Sequence, residues 1–268
     1  MIMTNFLKNR KSVREFKNKK VDSKVLDEVK FYLNALEKEE SNGNIKFNMY
    51  EYGEKLYNDL KGIGGYSGVM IESPHYIELE LLNNQENSII YGGYYMEKLI
   101  SKLNNLGLDT CWVSIDGVDK ETKKAILGES IGEVNYLLAI GYSKPRNPFI
   151  AETFSERIGV EDLVFDGQVG KPMTMDDLEN RGLSDLFYYV RFAPSAKNKQ
   201  PWRFILDDNK VTLLLENKPG EDLNLMDAGI IMYYFEALAE TIGIKSKWDL
   251  LKETPNNEDY KYIAELKL

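Results

Sequence analysis

The stretch GYYMEKLISKLNNLGLDTCW, residues 93–112, returns as GIIMYYFEALAETIGIKSKW, residues 229–248. A constant offset of 136 residues, with no gap, takes Gly93 to Gly229, Met96 to Met232, Gly107 to Gly243 and Trp112 to Trp248. Apolar Leu99, Leu106 and Leu108 meet Phe235, Ile242 and Ile244 at the same spacing. A chain that carries one apolar stripe and one stop glycine twice is constrained to build the same element twice. Each copy reads as a helix that ends at a glycine, the residue best suited to the left-handed C′ position, and then enters a strand containing Trp. A weaker echo joins LDEVKFYLN near Leu26 to LSDLFYYVR near Leu183, so the repeat is an internal duplication.

The rest of the chain fits two similar halves. Residues 21–36 put Val25, Val29, Leu33 and Leu36 on one helical face, with Asp22 or Ser23 as N-cap. A polar, turn-rich stretch leads to a short strand around Ile45, Phe47 and Met49. Residues 74–82 alternate Tyr76, Glu78 and Glu80 against Ile77, Leu79 and Leu81, the period of a half-buried strand. A long helix follows from about Ile89 to Asn105, and closing strands are expected at 136–143 and 262–268. Between the halves, residues 144–171 are rich in Pro, Gly and charge and read as a crossing linker. The expected organisation is a first half over 1–150 and a second over 151–268, packed as one compact unit.

Charge and composition narrow the function classes. A formal net charge of −9 disfavours general binding to nucleic acid or to anionic membranes. An anionic ligand therefore needs a local basic pocket. The single Cys111 excludes an intramolecular disulfide, and one Cys with one His cannot build the usual zinc sites. The opening MIMTNFLKNRKS lacks the apolar segment of a signal peptide, and no run approaches a membrane span, so a cytoplasmic location is expected.

Two basic clusters stand out. In RKSVR, residues 10–14, Arg10, Ser12 and Arg14 alternate in an extended segment and would point the same way, as a phosphate and a polar heterocycle require. A solvated basic terminus is the plainer alternative. In APSAKNKQPWRF, residues 193–204, Pro, Ser, Asn and Gln read as a turn that presents polar groups before a strand at Arg203. Ser195 as a simple N-cap is the alternative there.

Together, RKSVREF and APSAKNKQPWRF resemble the two FMN signatures of the nitroreductase family. GLDTCWVSIDG (107–117), AIGYSKP (139–145) and SERIGVEDLV (155–164) are similar to further segments of that family. The resemblance implies an α+β, nitroreductase-like fold of two similar halves, packed as a pseudo-dimer in one chain. In ordinary members both signatures lie in one half-sized chain, and two chains pair to build two sites. Here the first half has RKSVR but EKEESNGN in place of the turn, and the second has the turn without the Arg-rich start. The split implies one composite FMN site between the halves, with a monomer sufficient.

Carried over by position, the resemblance implies that Arg10, Ser12 and Arg14 hold the phosphate, ribityl chain and pyrimidine edge of FMN, with Lys11 near the phosphate. Arg157 would be a second phosphate partner, and Pro194, Ser195, Ala196 and Asn198 would line the ring. Asp116 and Gly117 match an acidic-Gly pair whose backbone N–H lies near flavin N5, with Asp in place of the commoner Glu. Ser155 stands where a phosphate lysine is usual. The implied activity is electron transfer from NADH or NADPH through FMN to a small-molecule acceptor such as a nitroaromatic or quinone. A non-catalytic flavin-binding or sensing protein is the competing reading.

Three features are read plainly. GIGGYSG, residues 62–68, follows no predicted strand and is expected to be a loop beside the flavin rather than a dinucleotide fingerprint. Cys111 is expected to be buried and structural, and His75 has no sequence-evident triad partner. Tyr91, Tyr94, Tyr95, Tyr233 and Tyr234 are expected mostly in the core.

Overall fold

The structure is a computed structural model that describes residues 3–83, 85–130, 132–145, 155–253, 255 and 257–268. In chain order it runs α1 (Met3–Asn9), α2 (Ser23–Glu39), β1 (Ile45–Tyr50), α3 (Gly53–Leu60), β2 (His75–Leu81), α4 (Glu86–Asn105), β3 (Asp109–Ser114), α5 (Lys120–Leu127) and β4 (Glu133–Gly141). There follow α6 (Val160–Leu163), β5 (Val164–Asp166), α7 (Met175–Asn180), α8 (Ser184–Val190), a 3-10 turn (Ala196–Asn198), β6 (Trp202–Leu206) and β7 (Lys210–Glu216). The chain ends with α9 (Leu225–Thr241), β8 (Asp249–Leu250) and β9 (Tyr260–Lys267). It divides into an N-terminal unit, residues 10–145, and a C-terminal unit formed by residues 3–9 with 155–268.

Each unit holds an antiparallel sheet of the same strand order. The N-terminal sheet runs β1-β2-β4-β3, and the C-terminal sheet runs β6-β7-β9-β8 with β5 added in parallel beside β6. In both, the long helix connects the second strand in sequence to the third, α4 after β2 and α9 after β7. Both helices end in the same cap. Gly107 and Gly243 have φ of 76° and 90°, where a side chain would be strained. The Leu108 amide donates to Leu103 O at 3.0 Å, and the Ile244 amide donates to Ala239 O at 3.0 Å, at the same 136-residue offset. These bonds satisfy carbonyls that a helix end leaves open.

Sequence periodicity places most elements, with local differences. Asp22 caps α2 by accepting from the Lys24 amide, and the buried face is Leu26, Val29, Leu33 and Leu36. Val25, expected on that face, is only half-buried. Trp248 lies just before β8 rather than inside it, and its ring packs on Phe235. Part of the expected linker is folded: residues 160–166 form α6 and the edge strand β5. Residues 146–154 of that linker, and with them the 150/151 boundary, lie outside the described residues.

The largest difference is β2, which is buried along its whole length rather than on one face. It lies between β1 and β4, its Ile77 face covered by α4 and its Tyr76 face by a cluster including Leu56, Leu60 and Val113. Burying Glu78 and Glu80 requires polar partners. Glu78 accepts from Asn48 at 2.7 Å and from the Tyr50 hydroxyl at 2.5 Å. Glu80 accepts from the Gly132 amide at 2.7 Å and faces Lys46 at 3.7 Å. Burial pushes the Glu78 carboxyl up from its ordinary value, and the bonds from Tyr50 and Asn48 oppose it. Tyr94, Tyr95, Tyr233 and Tyr234 are buried, as the helix pattern implied, while Tyr91 is half-buried. No described helix is long and apolar enough to cross a membrane.

Candidate functional site

In the C-terminal unit the segment 193–200 is a tightly pinned turn. Lys197, Asn198 and Gln200 take left-handed backbone conformations, with φ of 52°, 56° and 49°. For a residue with a side chain this costs about 1–2 kcal/mol, so the turn persists only because its surroundings hold it. The Gln200 amide donates to Ser195 Oγ at 2.9 Å, and the Ala196 amide donates to Asp227 Oδ1 at 3.0 Å. Asp227 is buried at the start of α9, which Asn224 caps. The buried Gln200 side chain accepts from the Ile158 amide at 3.0 Å and donates to Glu156 O at 3.1 Å, tying the turn to residues 156–158.

Arg157, Ser195, Ala196 and Asn198 therefore come together in one network, with Pro194 beside them in the chain. Arg157 Nη1 donates to Ala193 O and to Asn198 Oδ1, each at 3.0 Å. Asn198 Nδ2 donates to Glu156 O at 3.0 Å. Both polar ends of Asn198 and the hydroxyl of Ser195 are thus engaged inside the unit. What the turn presents outward is the shape of its backbone with exposed Ala196, Lys197 and Lys199, the last ion-paired with Glu221 at 2.5 Å. Gln200 and Asp227 hold this geometry, and neither was among the expected ligands. Gln200 lies inside the recognised APSAKNKQPW stretch, whereas Asp227 carried no sequence signal.

In the N-terminal unit the Arg-rich segment runs beside β3. The Val13 amide donates to Thr110 O at 2.9 Å, and the Lys17 amide donates to Tyr142 O at 2.8 Å. Arg10 and Arg14 do not share one setting. The Arg10 side chain is 8% exposed and its Nη2 donates to buried Glu97 at 2.8 Å, whereas Arg14 is exposed and makes no ion pair among the described residues. Lys11 and Ser12 are half-buried between them. Burial pushes the Cys111 thiol up from its ordinary value, and the positive charges of Arg14 and then Arg10 oppose the shift. Cys111 is a buried strand residue, as its apolar neighbours implied.

Asp116 and Gly117 form an exposed turn after β3, closed by the Val118 amide on Ile115 O at 3.0 Å. The Asp116 amide donates to Ser114 Oγ at 3.3 Å. The glycine-rich stretch 62–68 is a loop packed on the same strand end, the Gly65 amide donating to Ser114 O at 2.8 Å. Gly65 has φ of 82°, and a Cβ there would meet Val69 O at 2.0 Å. His75 is buried and accepts from the Val21 amide at 3.1 Å, a structural use and not a triad.

Two antiparallel sheets of one strand order, each linked through one long helix, define an α+β protein with the nitroreductase-like fold. The family described as "Putative TM nitroreductase" matches residues 3–239, and the chain belongs to that family. Among solved structures, the chain is similar to a "putative nitroreductase" from Thermotoga maritima msb8, with 17% identity and a TM-score of 0.63 over 99% of this chain and 93% of that one. Nitroreductase A from Vibrio parahaemolyticus RIMD 2210633 aligns with 12% identity and a TM-score of 0.50 over 70% of this chain and 86% of that one. A nitroreductase with bound FMN from Bacteroides fragilis NCTC 9343 gives 17% identity and a TM-score of 0.46 over 57% of this chain and 94% of that one. No curated protein matches the chain.

Proposed function

We propose that the chain is an FMN-dependent oxidoreductase that passes electrons from NADH or NADPH to an electron-poor acceptor such as a nitroaromatic or a quinone. The observation that carries this reading is family membership across residues 3–239. The local chemistry fits a flavin phosphate and ring. Exposed Arg14 is a cation with no ion pair among the described residues, and the strained turn at 197–200 is geometry kept against a conformational cost. In this reading Arg10, Lys11, Ser12, Arg14 and Arg157 serve the phosphate, ribityl chain and pyrimidine edge. Pro194, Ser195, Ala196 and Asn198 shape the ring's seat, and Asp116 with Gly117 brings a backbone amide to its edge.

When bound, FMN supplies the redox chemistry, taking hydride from the nicotinamide and handing electrons to the acceptor. The chain's own part is to seat the flavin, neutralise its phosphate and leave one face open, and a single chain suffices for this. The test is to purify the protein, quantify released flavin and add NADH or NADPH without air. About one FMN per chain, bleached by either donor, supports the reading. Tight flavin that neither donor bleaches would make the chain a flavin-binding protein, and no uptake of added FMN would sink the proposal. Arg14→Ala and Asn198→Ala are each expected to lose FMN, because one flavin draws on both segments.

A further inference from the structure

Tyr50 ends β1 with one hydroxyl proton and two acceptors to give it to. Its oxygen lies 2.5 Å from Glu78 Oε2 and 3.2 Å from the Leu127 carbonyl oxygen. Leu127 is the last residue of α5, so its carbonyl has no donor from within the helix, and no other described group donates to it. Glu78 is 2% exposed on an inner strand, and Asn48 Nδ2 donates to its Oε1 at 2.7 Å.

A hydroxyl donates once, an ionised carboxylate only accepts, and a neutral carboxyl donates once. With Glu78 ionised, Tyr50 donates to the carboxylate and the Leu127 carbonyl is left without a donor. With Glu78 neutral, Oε2–H donates to the Tyr50 oxygen, the Tyr50 hydroxyl turns to Leu127 O, and Oε1 still accepts from Asn48. One added proton therefore satisfies every member of the chain Glu78–Tyr50–Leu127.

We propose that Glu78 and Tyr50 form a proton-operated latch on α5: a proton on Glu78 fastens the end of that helix, and its loss releases it. The latch lies inside the N-terminal unit and does not depend on the flavin reading. It acts on the β3–α5–β4 connection, which also carries the Asp116–Gly117 turn. Burial raises the proton affinity of Glu78, Tyr50 and Asn48 oppose this, Glu80 adds to it and Lys46 on β1 opposes it. Glu80 is itself engaged by the Gly132 amide and faces Lys46. β4 sets Leu137 opposite Glu78, α3 brings Leu56, Leu60 and Tyr57 to that face, and Tyr76 of β2 donates to Ile71 O. Lys123 of α5 donates to Asn135 Oδ1 at 2.8 Å instead.

Only two leucines in the chain precede a glycine, Leu106 and Leu127. Isotopic labelling of leucine carbonyl carbons and glycine nitrogens in the full-length protein therefore gives two correlated carbonyl signals, Leu127 as reporter and Leu106 as internal reference. A second sample, labelled at the glutamate carboxyl carbons, follows Glu78, whose signal is the one missing from Glu78→Gln. Both samples are titrated from the ordinary carboxylate range to mildly alkaline pH. The Leu127 carbonyl is expected to shift upfield, as a carbonyl losing a hydrogen bond does, with the same midpoint as Glu78, while Leu106 stays put. In Glu78→Gln the amide donates to the Tyr50 oxygen as the neutral acid does, so Leu127 should hold its low-pH position throughout. In Tyr50→Phe it should hold its high-pH position.

A Leu127 carbonyl that does not follow Glu78, or that still titrates in either variant, would overturn the latch. So would a Glu78 that keeps one protonation state across the whole range. If Tyr50→Phe folds poorly, the isosteric Glu78→Gln decides alone: a Leu127 signal at the high-pH position in that variant rejects the proposal.

Discussion

At the scale of single residues, the buried polar groups decide how the chain responds to pH and to substitution. Burial lowers the proton affinity of His75 from its ordinary 6.5, with the backbone at Glu51 opposing. The unfolded chain then takes up a proton that the folded chain resists. Stability from neutral His75 is complete above pH 6.5 and is lost as pH falls below it, until the folded imidazole also protonates. Melting temperature should therefore drop between pH 7 and 5, and His75→Gln, which can still accept from the Val21 amide, should flatten that drop. An equal slope in the variant would show that another group titrates. Gln200→Leu should cost about 1–3 kcal/mol in chemical denaturation, because the Ile158 amide and Glu156 carbonyl lose a buried partner. Lys197→Gly should offset part of such a loss by relieving a φ of 52°, gaining about 1 kcal/mol.

At the scale of elements, the twin caps of α4 and α9 give a paired prediction. A Cβ at Gly107 or at Gly243 would meet nothing within 4 Å, so Ala at either position is penalised by backbone conformation alone. Each variant should lose about 1–2 kcal/mol, and the two losses should be alike. Denaturant midpoints measured for both would settle it, and a loss at only one glycine would mean that the caps are not energetically equivalent. The caps were legible because a glycine closing an apolar stripe has one strong conformational reason to be there. β2 was not legible in the same way: Glu78 and Glu80 alternate as a solvent face would, and burial came from Tyr50, Asn48 and the Gly132 amide, which local spacing does not reveal.

At the scale of the whole molecule, the chain's first helix belongs to the C-terminal unit. Phe6 of α1 stacks with Tyr234 of α9 at 6.0 Å between ring centroids, and Lys8 lies over the Tyr189 ring at 5.1 Å. Phe6→Ala should cost about 3–5 kcal/mol as a core truncation. Hydrogen exchange should quicken first in α8 and α9 rather than in β1 and β2. Faster exchange in the N-terminal sheet instead would place α1's stabilising contacts elsewhere. Seven residues with two buried side chains are too short for periodicity to reveal, and nothing local says that they pack against a helix more than 200 residues later.

The sequence by itself determined the repeat, the long helices with their glycine stops, the alternation that makes strands and the two segments that mark the family. Each of these is written in residues near one another in the chain, where spacing and backbone preference act directly. Tertiary structure alone decided that Glu97 takes Arg10 into the interior and leaves Arg14 outside. It also decided that Gln200 and Asp227 hold the strained turn, and that β2 is covered on both faces. Those outcomes depend on which distant groups share a low-dielectric interior, where an unpaired charge or amide is costly and the partner that satisfies it can come from anywhere in the chain.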